Sequence, residues 1–400
     1  MKLGLRGIRR LLRSVGNPHR RFASIHIAGT NGKGSTASMI AAMLTASGYK
    51  TGLYTSPHVV DFAERIRING KPISKRQVVL LMKRLHPTVR HHQTTFFETV
   101  TALAFLHFAE QEVEIAVVET GLGGRLDATN VTDSIVAAIT PISLEHTRIL
   151  GDTISKITQE KAAIIKNHRQ KVVIAPQLSE ARNVLKDRCR AFNIDPLWVD
   201  EYVQIDRITQ DIGRQIFDLS TLKTTYGQLT LALLGKHQRD NAAASICIAE
   251  CLQDLGFIIP TSAIYEGLKN VFWPGRLEVI GYEPLTLLDG AHNPASAQTL
   301  AEAIREIMGE KKVILILGTS EDKNTKSIYD ELSRIAKNII FTKADHPRAA
   351  NLAGAVHVKE ALELAYKAAS PKDIILVAGS IFVVSEARRY LLSRKEACIN

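Results

Sequence analysis

The first sixty residues contain no aspartate or glutamate; the first acid is Asp61. Arg6, Arg9, Arg10, Arg13, Arg20 and Arg21 crowd that stretch, and the whole chain of 400 residues carries a net charge of +11. Cysteine is scarce. Cys189, Cys247, Cys251 and Cys398 are scattered without metal-ligand spacing, which excludes a disulfide scaffold and fits a reducing cytoplasm. Aromatics make up only 6% of the chain and are not interleaved with the basic residues. That pattern speaks against a nucleic-acid surface and leaves small polyanions, nucleotide phosphates and carboxylates, as partners of the positive charge. No apolar run approaches the roughly 18 residues of a membrane span, so no membrane partner is expected. Repeats and low-complexity segments are also missing, and the length fits two domains at roughly 100–200 residues each.

An arginine-rich, acid-free start is also what an organellar transit peptide looks like. Here, however, Leu5, Ile8, Leu11 and Leu12 recur at helical spacing and a strand begins by about Ser24. A packed first helix is therefore expected.

The chain is organised around Gly29-Thr30-Asn31-Gly32-Lys33-Gly34-Ser35-Thr36. A β-branched run, Ser24 to Ala28, precedes it, and a helical pattern of Ala, Met, Ile and Leu follows it. Strand, glycine-rich turn, lysine, hydroxyl and helix is the layout of a phosphate-binding loop. Its amides close around phosphate oxygens, the helix N-terminus adds positive potential, and Lys33 reaches the outer phosphates. The spacing is G-x-x-G-K-G-[ST], with Ile27 where the common pattern has its first glycine.

Further buried runs follow: Lys50 to Thr55, Ile115 to Val118, Ile135 to Thr140 and Val172 to Ala175. Helical patterns lie between them, as in a parallel sheet covered on both faces. From about Trp198 to Leu234 short alternating runs predict an antiparallel elaboration. Trp273-Pro274-Gly275-Arg276 looks like a boundary, beyond which four more apolar runs form a smaller α/β unit. The expected fold is a mostly parallel, phosphate-loop-type domain over 1–275 and a smaller Rossmann-like domain over 276–400.

Candidate acids and bases sit where strands end, the place where open α/β sheets bind ligands. Glu119 closes an apolar run, as an acid holding Mg²⁺ beside a phosphate loop would. Ser56 and His146 also follow strands, although a histidine in that position, taken on its own, reads better as a capped or surface residue. Glu119 leads into Gly121-Leu122-Gly123-Gly124-Arg125-Leu126-Asp127-Ala128-Thr129-Asn130. Glycines there free backbone amides for a ligand.

Taken together, these segments resemble one family. Gly29 to Thr36, Ser56-Pro57-His58, Glu119 to Asn130, Glu160 to Lys166, Trp273 to Glu278 and Asp289-Gly290-Ala291-His292-Asn293-Pro294 are similar to folylpolyglutamate synthases and dihydrofolate synthases, in the Mur ligase superfamily. The likeness runs from about Leu3 to the last strand. It implies an ATP-dependent ligase that adds L-glutamate to dihydropteroate or to folates through an acyl phosphate. Gly32, Lys33, Gly34 and Ser35 would hold the ATP phosphates, and Asn241, Arg276 and Asp289 would contact ATP. Ser56, Glu119 and His146 would bind Mg²⁺, helped by a carbamylated Lys161. Thr95, Phe96, Phe97 and Glu98, with Leu126, Asp127 and Ala128, would line the pterin pocket. His292 would stand near the reacting groups. A cytoplasmic monomer is expected.

Two residues depart from the family's common pattern: Glu145 replaces Asp before the metal-binding His, and Ala163 replaces Gly. Other readings are a Mur-type ligase acting on a cell-wall precursor, a non-catalytic folate binder, and a GTP-dependent switch. The last rests on Thr342-Lys343-Ala344-Asp345, far along the chain from the phosphate loop. Against the cell-wall reading stand Thr95-Phe96-Phe97-Glu98 and the glycine-rich loop. Intact Lys33, Glu119 and Lys161 weigh against a mere binder.

Overall fold

The computed structural model describes residues 4–309 and 311–399, with side chains as far as Arg394. Leu3, where the resemblance begins, and the side chain of Cys398 lie outside the described part. The long apolar runs become the strands of two parallel-type sheets, because a strand covered by helices on both faces has no polar side to show.

The first sheet comprises β1 (Ala23–Ala28), β2 (Thr51–Tyr54), β3 (Ile66–Ile68), β4 (Lys71–Pro72), β5 (Ile115–Glu119), β6 (Val136–Ile139), β7 (Lys171–Ile174) and β8 (Leu197–Trp198). Their spatial order is β4-β3-β2-β5-β1-β6-β7-β8. The strands from β2 to β8 run parallel, whereas β3 and β4 form an antiparallel edge. Asn69 and Gly70, both at positive φ, make the turn between them. The region expected to be antiparallel is a separate three-stranded sheet of β9 (Val203–Gln210), β10 (Gln215–Thr221) and β11 (Thr225–Leu231).

The third sheet is built from β12 (Glu278–Tyr282), β13 (Leu285–Leu288), β14 (Val313–Leu317), β15 (Ala336–Lys343), β16 (Val356–His357) and β17 (Ile374–Ala378), in the order β12-β13-β17-β14-β15-β16. Only β12 is antiparallel to its neighbour. Thr342-Lys343 ends β15 in this sheet, with Thr342 buried and its hydroxyl donating to Val356 O.

The arginine-rich start folds as the expected helix, Arg6–Ser14. Its arginines face outward, while Ile8, Leu11 and Leu12 are buried in one cluster with Leu103 and Phe105 of the helix Phe96–Glu110. Burying each such side chain stabilises the fold by about 1.5–3 kcal/mol. Behind β1, the helices Lys33–Ala46 and Lys236–Asp254 pack together, with Met39, Ile40, Ile246 and Cys247 inaccessible. This anchors both ends of the phosphate loop. Cys189, Cys247 and Cys251 are free, buried thiols. No described helix is long and apolar enough to cross a membrane.

Candidate active site

The phosphate loop takes its shape from glycine and from its neighbours. Gly32 caps the helix Lys33–Ala46 at φ 85°, and a Cβ there would lie 2.4 Å from Asn241 Oδ1. Only glycine allows both the left-handed turn and that approach. Asn241 Oδ1 also accepts from Thr36 Oγ1 at 3.4 Å, and Asn241 Nδ2 donates to Gln238 Oε1. Asn241 therefore pins the loop from behind. Lys33 folds back over the loop, donating to Thr30 O at 3.0 Å.

Glu119 is the last residue of β5, next to β1. Its carboxylate is buried and accepts from the Ser56 amide at 3.1 Å. Burial pushes its pKa up, against the pull of Lys33, the Ser56 N–H and Arg276. Such a carboxylate gains from a cation beside it. His146 stands at φ 51° after β6. Burial drives its pKa down to about 4 despite the opposing charge of Glu145, with Lys323 and Lys161 adding to the fall. Its imidazole is neutral near pH 7 and keeps a lone pair.

Lys161 lies on the helix Ile154–Ala162 and is only 5% exposed. Its Nζ donates to Gly29 O, at the start of the phosphate loop, at 2.6 Å. It is no solvated partner of Glu160, which pairs instead with Arg125 at 2.8 Å. Burial, then the charge of Lys33, pushes its pKa down to about 7.

A cavity of 510 Å³ opens beside these groups, within the usual range of small-molecule sites, about 300–1,000 Å³. Gly34, Ser56, Glu119 and His146 line one end. Thr95, Phe96, Phe97, Glu98, Leu126, Asp127 and Ala128 line another part, so every expected pterin-side residue reaches the cavity. Thr95 and Glu98 form a capping box at the start of the helix Phe96–Glu110, and Glu98 also accepts from the Ile8 amide at 3.1 Å. Phe96 is 61% exposed and turns an apolar face to the cavity. Asp127 is turned inward: it accepts from the amides of Leu122 and Thr129 and from the Thr129 hydroxyl. Its carboxylate orders the glycine-rich loop, and burial raises its pKa.

Arg276 and His292 reach the same cavity from the third sheet. Asp289 is buried instead and accepts from the amides of Leu277 and Ala291, which joins the segment carrying Arg276 before β12 to the segment carrying His292 after β13. Gly32, Lys33, Ser35, Lys161, Asn241 and Asp289 do not line the cavity. Sequence reading missed Arg65, Lys323, Arg348, Ser380 and Phe382, all in the lining. Ser380 was findable by the rule that flagged Glu119, since it follows β17 closely. Arg65 and Arg348 belong to no motif, and only tertiary approach brings them in.

Residues 27–249 match the Mur ligase middle domain, and 275–381 match the Mur ligase glutamate ligase domain. Fold and site thus define a Mur-type, ATP-dependent acid–amino-acid ligase. The chain is 35% identical to dihydrofolate synthase/folylpolyglutamate synthase of Bacillus subtilis, covering 98% of this chain and 95% of that protein. Folylpolyglutamate synthase of Lacticaseibacillus casei is 33% identical, over 98% and 95%. A crystal structure of Mycobacterium tuberculosis folylpolyglutamate synthase with ADP and AMPPCP superposes with a TM-score of 0.91 at 33% identity, covering 97% of this chain and 95% of that one. The chain belongs to the folylpolyglutamate synthase/dihydrofolate synthase family.

Proposed function

We propose that this enzyme joins L-glutamate to dihydropteroate, and also extends (tetrahydro)folates at the γ-carboxylate, with ATP activating the acid. One observation carries the reading: a single cavity touches the phosphate loop at Gly34, the aromatic wall at Phe96 and Phe97, and the third sheet at Arg276 and His292. ATP, the pterin acid and the amino acid need such a meeting place. A relative's structure holding AMPPCP and folate together supports it, at a TM-score of 0.89 and 30% identity over 98% of this chain and 97% of that one. We assign residues 1–275 to ATP and pterin binding and 276–400 to glutamate.

The chemistry follows from a poor leaving group. A carboxylate resists attack by an amine, so one of its oxygens first takes the γ-phosphoryl group of ATP and ADP departs. The glutamate amine, having lost a proton, then attacks the acyl carbon. The tetrahedral intermediate expels phosphate with the bonding electron pair, the nitrogen's second proton passing to that phosphate, and an amide is left. Anionic oxygen meets anionic phosphate in the first step. Lys33, the loop amides and Arg276 offset that repulsion. Phe96 and Phe97 hold the pterin, and enclosure between the units keeps water from the acyl phosphate.

The donor set fits magnesium. Glu119 is a buried carboxylate in search of a cation, with Ser56 and neutral His146 beside it in the same cavity wall. Among the described residues no three His, Cys, Asp or Glu side chains gather as ligands, which leaves room for a further oxygen donor beside waters and ATP phosphates. We assign that part to Lys161, carbamylated through its neutral amine. Magnesium bound there supplies charge neutralisation at the phosphates. Buried free thiols support a reducing, cytoplasmic setting, and we take the enzyme to act as a monomer.

The test is ADP release by purified protein with ATP, L-glutamate and either dihydropteroate or tetrahydrofolate. Release with both acids is expected. Release with tetrahydrofolate alone removes the dihydropteroate step.

A further inference from the structure

Glu145 stands in the loop after β6, next to His146, where the sequence departs from the family's usual Asp. It reaches away from the first sheet. Its Oε1 accepts from Lys323 Nζ at 2.9 Å and from His292 Nε2 at 3.1 Å. Lys323 follows β14 and His292 follows β13, so both donors belong to the third sheet. The Glu145 and Lys323 side chains are each 10% exposed. One carboxylate oxygen thus ties together three loops from two sheets. His292 is held from its other side by Gly290 O, 2.7 Å from Nδ1. A second polar tie runs alongside: Asn293 Nδ2 donates to Asn31 Oδ1, in the phosphate loop, at 3.0 Å.

Shape and charge agree. A glutamate is longer than an aspartate by one carbon–carbon bond, about 1.5 Å, and that length carries the carboxylate across the gap. Lys33 also faces this region, so Glu145 is an acid between two lysines, Lys33 and Lys323. Without it, Lys323 would confront Lys33 uncompensated, and the units would repel where they meet.

We propose that Glu145 is a positioning residue that clasps the third sheet onto the phosphate-loop unit, setting Lys323 and His292 in place over the reaction cavity. The clasp stands on geometry alone. Its kinetic consequence rests on the ligase reading above: the wall carrying Lys323 and His292 meets the incoming amino acid, so weakening the clasp acts on glutamate more than on ATP.

The distance between the units tests the clasp without any turnover. Spin labels go on Lys83→Cys and Asn338→Cys, exposed positions on the two units, in the full chain with Cys398→Ser. Pulsed dipolar spectroscopy then compares the parent with Glu145→Gln, Lys323→Gln and the double variant. Each single change is expected to lengthen or broaden the distance distribution, and the double variant to add little, as members of one contact do. In parallel, Glu145→Gln should raise KM for glutamate about tenfold, with KM for ATP within about twofold. Unchanged distances in both single variants overturn the clasp, as do fully additive effects in the double variant. Should Glu145→Gln not fold, Lys323→Gln against the parent decides alone. An equal rise in KM for ATP overturns the kinetic consequence. A parent protein that releases no ADP with any pterin acid refutes the ligase reading, while the distances still judge the clasp.

Discussion

Two lysines carry opposite burdens at the residue scale. On the proposed reading Lys33 serves the ATP phosphates at the phosphate loop, whereas Lys161 has to be neutral to add carbon dioxide. Lys33→Ala should cost roughly 10²–10³ in turnover, the scale of losing a preorganised electrostatic contact. Circular dichroism should show an intact fold. Near-parental ADP release would remove Lys33 from the chemistry. For Lys161 the sign follows from its pKa of about 7. Below it the amine is protonated and closed to carbon dioxide; on the proposed reading the free amine above it forms the carbamate. Activity at fixed carbon dioxide pressure should therefore rise with pH through about 7, and added bicarbonate should raise the acid side most. Stability should move the same way. An unfolded lysine keeps its proton to about 10.4, so burying this one costs most below the folded pKa, and the cost fades as pH climbs above it. Lys161→Ala should be severely impaired, and full activity in that variant would end the carbamate assignment. A solvated helix lysine paired with Glu160 is the bland alternative that the sequence offers for this residue. Only the fold decides, because Arg125 takes Glu160 and the helix turns Lys161 inward.

Among elements, those built on local chemistry were legible and those built on approach were not. The phosphate loop, the Thr95 cap, the Asn69-Gly70 turn and the buried strands follow from residue type and spacing. The antiparallel edge β3–β4 was visible only as a turn. The meeting of the glycine-rich loop with the helix Phe96–Glu110 was not visible at all. Gly121 makes that meeting possible: a Cβ there would come within 2.3 Å of the Phe97 ring. Gly121→Val should push Phe97 off the pterin wall. KM for the pterin acid should then rise by about tenfold or more, with KM for ATP nearly unchanged. Equal effects on both would mean that Gly121 serves the phosphate side instead. Lys323 and Arg348 escaped sequence reading for a related reason. Neither sits in a pattern whose chemistry is local, and each gains a role only because the third sheet folds over the first.

At the scale of the whole molecule, two α/β units build the walls of one reaction cavity, where on the proposed reading ATP cleavage is coupled to amide formation. Arg276 tests the junction. It reaches the cavity from the start of the third sheet, so Arg276→Ala should raise KM for ATP and lower turnover; a change confined to pterin binding would move Arg276 to the other pocket. Coupling itself is tested most directly by following ADP and the glutamyl product together, using ATP, radiolabelled L-glutamate and dihydropteroate or tetrahydrofolate, each omitted in turn. The expected result is ADP and new amide in equal amounts, with no amide when any one substrate is missing. ADP released at the full rate without a pterin acid, or without label entering a pterin product, would contradict the account.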